Sequence, residues 1–145
     1  MNFPIDSYLI DKALLLPLIH ATILGLIIGF ERERVGKSVG KRTFSLVVLG
    51  SCLFTLISVE VFPDNPVRIA SQIVSGIGFL GVGVIWRHKG KGVHGITTAA
   101  DMWVSAAIGM AVATRLYLTA TLTTLLILLV LRIPKKSEEA EPEED

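Results

Sequence analysis

The stretch IASQIVSGIGFLGVGVIW, residues Ile69–Trp86, decides the fold. It places Gly76, Gly78 and Gly81 in the order G-x-G-x-x-G, the pattern of a dinucleotide-binding turn, and Asp101 follows about 20 residues later. That turn works only where a strand gives way to a helix, so that free amides face a pyrophosphate. Here the glycines sit inside an apolar run, with no alternation of strand and helix around it. A helix crosses a bilayer with roughly 17–25 mostly apolar residues. The segment therefore reads as a membrane helix, and the nucleotide reading is set aside.

Four further runs of the same kind surround it. They are Ala13–Phe30, Phe44–Phe62, Thr97–Thr114 and Leu116–Ile133, the last stopped by Pro134. Arg115 alone separates the fourth from the fifth, so their connection must be tight. The fourth has a short apolar core, Met102–Thr114, and is expected as a tilted span or a half-helix. With 51% hydrophobic residues and a mean hydropathy of +0.62, the 145-residue chain is expected to be an all-α integral membrane protein, a bundle of about five transmembrane helices.

Charge placement supplies an orientation. Arg32, Arg34, Lys37, Lys41 and Arg42 lie between the first two runs, and Arg87, Lys89 and Lys91 between the third and fourth. Lys135 and Lys136 follow the fifth, whereas the alternate loops hold only Arg68 and Arg115. Positive residues accumulate on the cytoplasmic side, which predicts an N-out, C-in bundle over residues 1–134. Residues 135–145 are expected as a disordered acidic cytoplasmic tail. A net charge of +1 gives no footprint for nucleic acid. Cys52, the only cysteine, excludes an intrachain disulfide and reads as a packing residue. His88 and His94 lie among cations and do not read as a zinc site. No nucleophile–base pair or ligand set suggests an enzyme, and no cofactor is expected, with Mg²⁺ a conceivable ligand or substrate.

Small residues recur at helical spacing: Ala21, Gly25 and Gly29 in the first run, Ser71, Ser75, Gly78 and Gly81 in the third, and Ser105, Gly109 and Ala113 beyond Asp101 in the fourth. Lipid gives no hydrophobic drive between helices, so small residues that allow close contact mark packing faces. Gly25, Gly29, Ser75, Gly76, Gly78, Gly81 and Gly109 are thus the expected packing positions. The first, third and fourth helices are expected to form the inner cluster, with the leucine-rich fifth facing lipid or a dimer partner. An ionisable residue at the centre of a span costs about 2.5–3.5 kcal/mol on insertion scales. The functional polar candidates for binding or permeation are therefore Asp101 and Gln72 within spans, and Glu31 and Arg32 at the inner end of the first. His20, midway along that helix, reads as structural.

Beyond this physical reading, Gly25-Leu-Ile-Ile-Gly-Phe-Glu-Arg-Glu-Arg34, Gly40-Lys-Arg-Thr43, Ala70–Ile85 and Gly95-Ile-Thr-Thr-Ala-Ala100, with Trp103 and Ala106-Ala-Ile-Gly109, resemble the MgtC/SapB family over roughly residues 20 to 112. The resemblance implies a multi-pass protein of the bacterial cytoplasmic (inner) membrane, linked to magnesium homeostasis, growth in low magnesium, virulence and restraint of ATP synthase. It points to Gly25, Gly29, Glu31 and Arg32, and to Ser75–Gly81, as important positions. Two departures are expected: an acidic tail where MgtC-like members carry a soluble C-terminal domain, and Asp101 where they carry an uncharged residue. The functions that follow are a small regulatory membrane protein of ion homeostasis or, alternatively, a transporter or channel lined by Asp101 and Glu31. The expected partners are the lipid bilayer, further copies of the chain and other inner-membrane proteins such as ATP synthase.

Overall fold

The computed structural model describes residues 7–87 and 93–134. Five helices follow one another: α1 (Ser7–Arg34), α2 (Lys41–Val61), α3 (Val67–Val84), α4 (Ile96–Ala113) and α5 (Tyr117–Val130). Between α3 and α4 a two-residue antiparallel ribbon pairs Trp86 with His94 and Arg87 with Val93. The first four helices are long and apolar enough to cross a membrane, whereas α5 has 14 residues. At 1.5 Å per residue α5 is about 21 Å long, short of the roughly 30 Å hydrocarbon layer. The expected fifth span thus shrinks to Tyr117–Val130, because Leu131–Pro134 leaves the helix in a turn. The fourth run, by contrast, is an unbroken helix of 18 residues. The protein is an all-α membrane bundle. The expected acidic tail, with Lys135 and Lys136, and the basic residues Lys89 and Lys91 lie outside the described residues.

Two helix ends share one device. At the end of α1, Gly36 has φ +71°, its N–H donates to the Glu33 carbonyl at 2.9 Å, and the Lys37 N–H donates to the Arg32 carbonyl at 3.0 Å. This left-handed cap satisfies carbonyls that the helix leaves unpaired. The same pair of bonds closes α4, from Arg115 to Val112 at 3.0 Å and from Leu116 to Ala111 at 2.9 Å. There the left-handed residue is Arg115, at φ 63°. This cap makes the three-residue joint to α5 as tight as its length requires.

The packing overturns one expectation. The inner cluster is α1, α2 and α4, with α2 at its centre, and α3 lies outside it. Phe44, Val48 and Cys52 of α2 meet Ala21, Leu24 and Ile28 of α1 and Met102, Ile108 and Val112 of α4 in one core. A Cβ on Gly25 would fall 2.6 Å from Ser45 Cα, and one on Gly29 2.7 Å from Lys41 N. A Cβ on Gly109 would strike the Val48 carbonyl and lie 2.9 Å from Ser51 Cβ. Each of these glycines lets a neighbouring helix press against α2. The reason the sequence misled is plain: α2 contributes to the contact with Ser45, Ser51 and Thr55, buried small polar residues rather than glycines. In α3 only Ile77 and Gly81 are buried; Ser75, Gly76 and Gly78 are exposed, and a Cβ added at Gly76 or Gly78 would meet nothing within 4 Å among the described residues.

Candidate functional site

The inner end of α1 and the first two turns of α4 build the site. The Schellman-type cap holds α1 helical to Arg34, so Arg32 keeps the helical phase that turns it inward. Glu31 and Glu33, one residue either side, point elsewhere. Arg32 Nε lies 3.4 Å from Asp101 Oδ2, with the two side chains 4% and 2% exposed. An Arg32 terminal nitrogen donates to Thr98 Oγ1 at 3.1 Å. Thr98 and Asp101 stand three residues apart on α4, one above the other on a single face. Ser105, one further turn on, is fully buried. Because the end of α1 meets the start of α4, the 35–40 loop and the ribbon of Trp86–Arg87 and Val93–His94 lie at the same end of the bundle.

The electrostatics are those of a closed pair. Each charge left alone in this position would face a steep loss of hydration, and the opposite charge offsets it. Hydrogen bonding is incomplete: Arg32 Nε, both Asp101 carboxylate oxygens and Ser105 Oγ have no hydrogen-bond partner among the described residues. Asp101 also borders a cleft of about 280 Å³ between α4 and α5, together with Thr97, Thr123 and Ile127. The arrangement can therefore clamp two helices together by charge. It also sets polar atoms beside an apolar opening.

The structure brings two of the four polar candidates together and leaves two apart. Glu31 is half-buried, with its carboxylate 3.7 Å from Arg34 of the same helix. Gln72 is exposed on α3, beside a separate cleft between α2 and α3. Thr98 was missed by sequence reasoning, although its place one turn before Asp101 was the available signal. A second polar contact also went unread. His20 Nε2 lies 3.2 Å from Thr121 Oγ1, and its ring stacks on Tyr117 at 5.4 Å. His20 thereby ties the short α5 to α1, in keeping with its structural reading. Among the described residues no group of three His, Cys, Asp or Glu side chains could hold a metal ion.

The fold defines the class, a multi-pass helical membrane protein, and this chain carries a buried arginine–aspartate pair at one end of the bundle. A sequence profile of the MgtC family matches residues 18–140, and the chain belongs to that family. It is 46% identical over 114 residues to Protein MgtC of Salmonella typhimurium, which covers 79% of this chain and 49% of that protein. It is 37% identical over 132 residues to Protein SapB of Bacillus subtilis, covering 85% of this chain and 57% of the relative. Identity is 41% over 125 residues to YhiD of Escherichia coli, whose name proposes magnesium transport, covering 80% and 58%. The chain spans about half the length of the curated relatives it matches. No solved structure matches it.

Proposed function

We propose that the chain is a magnesium-linked protein of the bacterial inner membrane, oriented with its N-terminus outside, that works by binding other membrane helices. It is not an enzyme in this reading, and Mg²⁺ is the signal it responds to rather than a resident cofactor. The observation that carries the reading is the Arg32–Asp101 pair. An aspartate whose negative charge is met by a guanidinium at 3.4 Å is a poor ligand for a cation, because the two positive charges compete for it. The family resemblance and the name of the Escherichia coli relative supply the magnesium setting. ATP synthase is a partner of the kind this reading needs. Transport is the second reading, favoured by the unpaired Asp101 oxygens beside the α4–α5 cleft.

Two assays separate them: Mg²⁺ flux into proteoliposomes holding the full chain, and growth of a deletion strain in limiting Mg²⁺. Growth that depends on the protein, with no flux from folded and oriented chains, is the expected result. Flux lost in Glu31→Gln or Asp101→Asn, with assembly intact, overturns it in favour of transport.

A further inference from the structure

Helix α3 touches the rest of the chain along one line, Ile73, Ile77, Gly81 and Val84, with Gly81 resting against Ala99. Of its other residues, Ile69 and Ala70 are half-buried and the rest are exposed. This surface differs in kind from the uncovered surface of α5, which presents Leu118, Leu122, Leu125, Leu126 and Leu129 to lipid. On α3 the half-buried Ile69 and the exposed Gln72, Gly76, Phe79 and Gly83 follow at successive spacings of three, four, three and four. That is the seam of a heptad repeat, the pattern by which two helices wind left-handed about each other. Phe79 stands 83% exposed, and a Cβ added at Gly76 or Gly83 would meet nothing within 4 Å.

Gln72 identifies the occupant of the seam. It lies about 8 Å inside the start of α3, is exposed, and has no hydrogen-bond partner among the described residues. Lipid provides none either. An amide side chain carries both donor and acceptor, so the group that best completes a glutamine at a given depth is another glutamine at the same depth. A two-fold axis along the membrane normal places identical residues of two copies at equal depth. Glycines at Gly76 and Gly83 then permit close approach on either side of Phe79. Ile69, Gln72 and Gly76 also border the cleft of about 330 Å³ between α2 and α3, whose open side the second copy would cover.

We propose that α3 pairs with α3 of a second copy of this chain, parallel and in register, along Ile69, Gln72, Gly76, Phe79 and Gly83. This deepens the partner-binding reading by naming a partner, yet its test is independent of flux and growth. The full chain carrying Cys52→Ala is reconstituted in lipid vesicles with one new cysteine, Gly76→Cys or Gly83→Cys on the seam, or Gly78→Cys off it. All three positions are open, so none disturbs the fold, and far-UV circular dichroism checks that. Oxidation is expected to link the seam variants into dimers and to leave Gly78→Cys monomeric. In energy transfer between labelled copies, Gln72→Leu is expected to weaken association about three- to tenfold. Equal crosslinking at all three positions, no energy transfer, or unchanged association of Gln72→Leu overturns the proposal. So does crosslinking in native membranes to a different protein in place of a second copy.

Discussion

Replacing Asp101 by asparagine tests the closed-pair account most directly. Over 3.4 Å, with an effective dielectric near 20, the attraction between the charges is about 5 kcal/mol. Asparagine keeps an oxygen near Arg32 and so recovers about 1 kcal/mol as a hydrogen bond. The guanidinium, only 4% exposed, stays buried with Thr98 as its remaining contact. Asp101→Asn is therefore expected to destabilise the bundle by about 3–5 kcal/mol, the usual result of breaking one side of a buried pair. Arg32→Met combined with Asp101→Leu removes both charges and should cost far less, about 1 kcal/mol or nothing. The assay is reversible unfolding in detergent micelles followed by circular dichroism, on both single variants and the double, as a double-mutant cycle. A single variant within about 0.5 kcal/mol of the native protein, or a double variant worse than either single, would refute the reasoning.

Four other outcomes are expected. Gly109→Ala should cost about 1–3 kcal/mol, since its Cβ strikes the Val48 carbonyl, while Gly78→Ala, with open space around it, should leave unfolding of the chain unchanged or slightly improve it. Arg115→Gly should stabilise by about 1 kcal/mol by relieving the left-handed backbone at φ 63°, read as a higher thermal midpoint. His20→Ala removes the bond to Thr121 and should raise hydrogen exchange in α5 before it affects α2 or α4. In a Cys52→Ala background, Asn65→Cys should react with an impermeant thiol reagent added outside intact cells, and Ser38→Cys should not. Reaction of Ser38→Cys alone would reverse the N-out orientation.

The spans were legible because the bilayer imposes one length and one composition on each, and Asp101 was legible because a carboxylate there violates that composition. Its partner was not. Arg32 and Asp101 are far apart in sequence, and which of Glu31, Arg32 and Glu33 turns inward depends on the phase of α1 relative to α4. Only packing fixes that phase. A Cβ at Gly25, Gly29 or Gly109 would run into α2, but a glycine says nothing about which helix approaches. Ser45, Ser51, Cys52 and Thr55 held the missing information. They form a small-residue face without a glycine, and the glycine pattern of α3 outweighed them. In α3 itself Ser75, Gly76 and Gly78 are exposed.

The Arg32–Asp101 contact also constrains how the chain is made. Ribosomes deliver α1 first and α4 only after two intervening helices, and α4 is the least apolar of the four long helices, at a hydropathy of 1.4 against 2.0 for α1. Entering lipid alone, α4 would carry Asp101 unpaired, with no countercharge to offset its lost hydration. Delivered beside α1, it finds the countercharge already waiting at the same membrane face. On this account the first helix would serve as a receiving dock for the fourth as the chain is made.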